Sequence, residues 1–265
     1  MGDYTSASNN YLSTSQAFAA LGHKIGAAIA LSMESLNALR HGDLEHARQT
    51  RKHSMVLYQE SGNALGTAWT TWEMGEIERV GGNLVGAKVW FEKARHLFEQ
   101  LDDRSSPIFI HRGMGDLAQM MGDYGAAKHH FQESIQQAQQ TNHQWALTYA
   151  LCGLGRAEVA SGEPEMAQAR FSQAMQTAQD MGEAGLALIA AAGFASLFAM
   201  TGKTEQAVEL GSMVFYHKFG WNETKSQMSA LLDSLHSIHP DRFGAAQERG
   251  RNLDIEEAIK RFDFI

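Results

Sequence analysis

The sequence predicts an all-α solenoid, a stack of antiparallel helix pairs repeating every 40 residues, and three observations predict it. The first is a set of columns held in phase. Gly42, Gly82, Gly122, Gly162 and Gly202 stand 40 residues apart, each followed five residues later by an alanine (Ala47, Ala87, Ala127, Ala167, Ala207) and preceded seven residues earlier by a small residue (Ser35, Gly75, Gly115, Gly155, Ala195). Several columns in register through five units mark an internal repeat. The second is another punctuation column, Gly22, Gly62, Asp102, Asn142 and Gly182, at the same period. These residue types tolerate the left-handed conformation that helices use just past their C-termini. The third is helical rather than alternating apolar spacing between the stops, as in Val89, Phe91, Ala94, Leu97 and Phe98. Alternating Val/Ile/Thr runs and Asn-Gly hairpin turns are absent from the sequence.

Each unit therefore reads as helix A, tight turn, helix B, turn, with helices about 25 Å long. Gly2 and Ala7 already sit in register, so residues 4–20 read as a helix B without its helix A. The expectation is a chain that forms the C-terminal part of a larger protein; the alternative is a first helix that serves as a polar cap. The array extends over residues 1–219. The Gly75 and Ala87 columns, twelve residues apart across the turn, are expected to face each other where two helices approach closely. Phe91, Phe131 and Phe171, four residues after each alanine, are expected to fill the space between neighbouring pairs. The register fades after Phe219. Trp221 to Ile238 reads as one amphipathic helix stopped by His239-Pro240, and residues 241–250 and 254–262 as two shorter ones. Asp254 with Glu256 and Glu257 suits a helix start, where acids meet the positive end of the dipole. Residues 220–265 are read as a C-terminal helical cap on the array.

Composition excludes several function classes. The chain of 265 residues carries 30 acids against 22 bases, a net charge of −8. With no basic run of five or more, it lacks the clustered cations that bind nucleic acid or an anionic membrane. The single cysteine, Cys152, forms no intramolecular disulfide and suits a reducing, cytoplasmic setting. The N-terminal stretch lacks the cationic and apolar regions of a signal peptide, and no apolar window reaches the ~20 residues that span a bilayer.

No chemistry-bearing motif stands out. Nothing resembles GxxxxGK[ST], GxSxG or HExxH, and Thr201-Gly202-Lys203-Thr204 reads as a turn. Gly113 and Gly115 lie within a helix by register and read as packing residues. His129-His130 and His236/His239 lack metal-ligand spacing. A lone cysteine on a helix reads as a small hydrophobe. The expectation is a binding protein with no catalytic residues, cofactor or metal.

The columns resemble the tetratricopeptide repeat (TPR): leucine-glycine, glycine-aspartate, alanine, an aromatic, alanine. Met74-Gly75, Gly82-Asn83, Ala87, Phe91 and Ala94 follow that order, as do Met114-Gly115, Gly122-Asp123, Ala127 and Phe131, and Leu154-Gly155, Gly162, Ala167, Phe171 and Ala174. The common unit of that family is shorter, ~34 residues, with a proline after helix B; here the helices are longer and that proline is missing. Long units resemble the MalT-like branch of bacterial signalling and transcription-regulatory proteins, and the segment Glu248 to Ile259 resembles a C-terminal tail common in them. The resemblance implies a right-handed α-solenoid whose A helices line a concave groove, 13, 10, 6 and 3 residues before the turn glycine.

Carried over column by column, the groove consists of Trp69, Trp72, Glu76 and Arg79; Phe109, Arg112, Asp116 and Gln119; and Tyr149, Cys152, Arg156 and Val159. It is flanked by Ile29, Ser32, Leu36 and Leu39 on one side and Ile189, Ala192, Ser196 and Ala199 on the other. Arg112 and Arg156 suit a ligand carboxylate or phosphate, and the tryptophans suit stacking. Alternatively the arginines pair with Glu76 and Asp116, and the rings fill space between helices. The apolar run Gly185 to Met200 reads as packed core. The expected function is a sensor or interaction domain of a bacterial signal-transduction or transcription-regulatory protein. It would bind a protein, peptide or small ligand in the groove, with self-association into a homo-oligomer as the alternative.

Overall fold

The computed structural model describes residues 2–103, 105–238, 240–262 and 264. Among them are fourteen α-helices and no strand: α1 (Gly2–Ala20), α2 (Lys24–His41), α3 (Leu44–Glu60), α4 (Ala64–Val80), α5 (Leu84–Gln100), α6 (Ser106–Met120), α7 (Tyr124–Gln140), α8 (Gln144–Ala160), α9 (Pro164–Asp180), α10 (Ala184–Met200), α11 (Thr204–Tyr216), α12 (Asn222–Ile238), α13 (Pro240–Arg251) and α14 (Ile255–Phe262). The expected helix stop at His239 falls on a residue outside those described. The chain divides into two compact units, residues 1–117 and 118–265.

Both punctuation columns are left-handed: all ten residues from Gly22 to Gly202 have positive φ, including Asp102 at 49° and Asn142 at 53°. The turns are tight because one residue serves two helices. At the end of α3, Gly62 N–H donates to Gln59 and Asn63 N–H to Tyr58 (3.1 and 2.9 Å), satisfying the last carbonyls of the helix. The side chain of Asn63 then accepts from Gly66 N–H at 2.7 Å, capping α4. Asp43, Asn83 and Asp123 cap α3, α5 and α7 in the same way. A turn built on this pattern holds the next helix antiparallel.

In the first unit α1 to α5 pack each against the next; in the second α7 to α11 do so, α8 also lies against α10, and α11 carries α12 and α13. The positions twelve residues apart do meet, since Ser35 Oγ donates to the Ala47 carbonyl at 2.7 Å. Gly75 and Gly155 do more than face an alanine: each receives a ring. A Cβ on Gly75 would stand 2.5 Å from Phe91, and one on Gly113 2.9 Å from it. In the second unit Phe171 is held likewise between Gly155 and Gly193, at 2.6 and 2.2 Å. Each phenylalanine thus wedges between its own pair and the next A helix, fully buried.

The first repeat breaks this rule. Arg51 stands in the phenylalanine column and Glu73 in the column of Gly113, Gly153 and Gly193. Arg51 is 2% exposed and forms an ion pair with Glu73 while Nη2 donates to the Ser32 carbonyl at 3.0 Å. Burial pushes the Glu73 carboxyl above its usual range, against the pull of Arg51, and pulls the guanidinium down.

At the far end of the second unit, buried Glu209 on α11 takes Arg249 Nε at 3.1 Å and Arg261 Nη1 at 2.6 Å. Phe264 stacks on Phe194 with centroids 4.2 Å apart. Leu186 to Ala195, with Leu197 and Phe198, are buried.

Candidate functional site

In the first unit, α4 and α6 bring seven of the ten candidate residues together. Helical spacing aligns Trp69, Trp72, Glu76 and Arg79 on α4, and Phe109, Arg112 and Asp116 on α6. Trp69 meets Phe109 edge-on at 4.9 Å and Trp72 at 6.0 Å; Trp72 meets Phe109 at 5.7 Å. Phe98 of α5 backs Trp69 at 4.9 Å. Edge-to-face pairs of this kind contribute about 0.5–1.5 kcal/mol each beyond their buried area. Trp72 Nε1 donates to the Phe109 carbonyl at 3.2 Å, fixing the indole. All three rings remain half-buried.

Beneath the rings lies a buried charge network. Arg112 places its guanidinium 5.0 Å from the Trp72 centroid and reaches Glu76 Oε2 and Asp116 Oδ2, both at 3.4 Å. Arg79 donates to the same Glu76 oxygen at 3.2 Å. All four charged residues are less than a tenth exposed. Such a network holds the rings rigid. The surface offered outward is aromatic, with the charges held behind it.

The remaining candidates lie in the second unit. Tyr149 on α8 is 7% exposed and stacks between Trp145 at 5.6 Å and Trp221 at 6.3 Å. Arg156 is half-buried on the same helix, and its charge partly offsets the burial that pushes the Cys152 thiol up to about 12. Gln119 is half-buried on the last turn of α6. Cys152, expected in the groove, is buried; of the flanking positions, Ile29 is 49% exposed, whereas Ser32, Ile189 and Ala192 are buried. Sequence reasoning missed Trp221, because it lies past the point where the register fades. It also missed Arg51 and Glu73, which the columns do expose as departures. Among the described residues no group of three or more His, Cys, Asp or Glu could hold a metal ion, and no helix is long and apolar enough to cross a membrane.

Fold and repeat geometry define a tetratricopeptide-type helical repeat protein. Residues 13–220 match the family described as the MalT-like TPR region, and the chain belongs to that family. Among solved structures it is similar to the crystal structure of BtubC (BKLC) from P. vanneervenii, at 12% identity over 91% of this chain and 91% of that chain, with a TM-score of 0.58. At that identity the likeness speaks for the fold. No curated protein matches the chain.

Proposed function

We propose that the chain is a non-catalytic interaction and sensor domain of a bacterial signal-transduction or transcription-regulatory protein. It works in the cytoplasm and binds a protein, peptide or small ligand on the groove face of its A helices. Residues 220–265 act as the cap of the array. The observation that carries this reading is the half-exposed Trp69–Trp72–Phe109 cluster, braced from below by Arg112, Glu76, Asp116 and Arg79. Rigid aromatic surface is what concentrates binding energy at an interface, because large rings bury much area while losing little conformational freedom. The TPR fold supports an interaction role in general. In the second unit, Tyr149, Arg156 and Gln119 serve the groove face of that unit.

The test is titration of a partner isolated by its binding to the full chain. Trp72→Ala is expected to weaken binding at least tenfold, the ~1.4 kcal/mol or more expected of an aromatic hot spot. Arg112→Ala is expected to weaken it less, by loosening the indole. Unchanged binding in both variants, with helicity intact, would falsify the reading. A second reading, self-association, is favoured by the apolar strip Ile25, Ile29 and Met33 on α2, which are 36%, 49% and 40% exposed. Light scattering showing a monomer throughout the micromolar range removes it.

A further inference from the structure

The groove face of the second unit already holds a side chain. Trp221 belongs to the non-helical segment 217–221 between α11 and α12, and its indole reaches the A helices α8 and α10, which pack side by side. It lies nearly parallel to Tyr149, at 6.3 Å and 29°, and Tyr149 lies on Trp145 at 5.6 Å and 24°. On the α10 side, a Cβ on Gly185 would stand 3.2 Å from the indole Nε1. Gly185 shares a column with Ile25, Leu65, Ser105 and Trp145, and glycine occurs in that column only here. The one missing side chain therefore makes the seat for the one inserted ring.

The insertion is carried on a segment able to move. α11 ends at Tyr216 and α12 begins at Asn222, so displacing residues 217–221 costs these helices one terminal bond each, His217 N–H to the Met213 carbonyl and Lys225 N–H to the Trp221 carbonyl. Phe219 on the same segment is 54% exposed. In the first unit the corresponding columns turn Ile25, Ile29 and Leu65 outward, at 36%, 49% and 48%. The face is thus apolar in both units, and in the second a tryptophan shows what fits it.

We propose that Trp145, Tyr149 and Gly185 form a tryptophan-recognition subsite, occupied by Trp221 in the resting chain and taken by a tryptophan side chain on a partner peptide. This rests on the groove-binding reading above and names the chemistry of its ligand. Because the two occupants offer the same indole, the tethered one competes through its high local concentration, of millimolar order for a short connection. Removing it therefore strengthens the external one.

The probe is a fluorescein-labelled peptide of residues 217–226 of the chain itself, with a Trp221→Ala version as control, titrated by anisotropy into the full-length protein. Trp221→Ala protein is expected to bind the probe at least tenfold more tightly than wild type does. The control peptide is expected not to bind, and Gly185→Val added to Trp221→Ala is expected to abolish binding. Equal affinity for wild type and Trp221→Ala, or no binding to a Trp221→Ala protein of native helicity, overturns the proposal. If that variant does not fold, millimolar probe added to wild type is expected to speed hydrogen exchange in residues 217–226, and unchanged exchange overturns the proposal. A partner weakened by Trp72→Ala but indifferent to Trp221→Ala overturns this inference and leaves the groove-binding reading standing. Tenfold gain on Trp221→Ala with partners indifferent to Trp72→Ala does the reverse.

Discussion

In a Ser35→Gly background, needed because Ser35 stands in the Gly75 column, replacing Arg51 by phenylalanine and Glu73 by glycine converts the joint between α3 and α4 into the ring-and-glycine wedge found at Phe91 and Phe171. The two single changes and the double change form a thermodynamic cycle. Arg51→Phe alone leaves Glu73, only a quarter exposed, facing a dry joint without its cation. It also removes the donor to the Ser32 carbonyl. Breaking a buried ion pair from one side costs about 3–5 kcal/mol, and the partial exposure of Glu73 places the expected loss near the lower end. The double change removes both charges together. Exchanging a buried pair for well-packed apolar groups ranges from neutral to about 4 kcal/mol stabilising. Against that stand about 1 kcal/mol for glycine within a helix and about 1 kcal/mol for the bereft Ser32 carbonyl. The double variant is therefore expected within about 2 kcal/mol of its Ser35→Gly parent, with a coupling of about 3 kcal/mol between the sites. Arg51→Phe with Glu73→Ala is the control: a Cβ at the equivalent Gly193 would stand 2.2 Å from its ring, so it is expected to lie about 1–3 kcal/mol below the glycine version. Urea unfolding followed by tryptophan emission reads all four, since Trp69 and Trp72 belong to the same unit. A loss below about 1 kcal/mol for Arg51→Phe, or a double variant as damaged as the sum of its parts, would refute the reasoning.

Three further outcomes follow from the second unit. Cys152 is fully buried, and burial pushes its thiol up to about 12 from 9.0. The folded state thus keeps its proton more tightly than the unfolded chain does. The stability tied to this group is intact below pH 9 and fades as pH rises towards 12, a loss that Cys152→Ala is expected to remove in pH-dependent urea unfolding. At pH 8 the thiol is expected to react with a disulfide reagent only at the rate of unfolding, and reaction at the rate of a free cysteine contradicts the packing. Gly193→Ala is expected to destabilise by about 1–3 kcal/mol, because its new methyl meets the Phe171 ring. Gly125→Ala, where the nearest atom to a new Cβ is Asp123 Oδ1 at 3.6 Å, is expected to gain up to about 1 kcal/mol from helix propensity. Thermal denaturation distinguishes the two, and equal effects would count against the wedge.

Most of the fold was legible because its determinants are local and periodic. The left-handed residues fix each helix end by backbone sterics, and the residue after Gly22, Gly42, Gly62, Gly82, Gly122 and Asn142 caps the next helix with its side chain. Boundaries within the array therefore follow from single positions; past it, α12, α13 and α14 begin and end within one residue of the spans read from apolar spacing and helix stops. The wedge was half legible. Phe91 and Phe171 announced themselves as a column, but their contact with Gly75 and Gly155 rather than with alanine depends on ring orientation, which spacing does not encode. The arrangement of the candidate site was less legible still. Whether Arg112 faces solvent or Glu76 depends on the distance between α4 and α6, a tertiary quantity set by the Trp72–Phe109 contact.

Arg51, Glu73 and Gly185 share a property that makes them more informative than the residues that obey the repeat. In a periodic stack each interface could be built from the same side chains, so the packing requirement alone predicts uniform columns. A departure must be matched across the interface, because a lone arginine in a phenylalanine seat is a buried charge and a lone glycine in a surface column forfeits apolar contact. Arg51 is matched by Glu73, and Gly185 by Trp221, each pair brought together from different helices or segments. The first match closes a joint with a geometrically demanding ion pair, where the Phe91 and Phe171 joints use a ring wedged between glycines. The second fills an open face from within the chain. Matched departures locate where the array does something other than stack, and both lie on or beside A helices, the elements that the family uses for its groove.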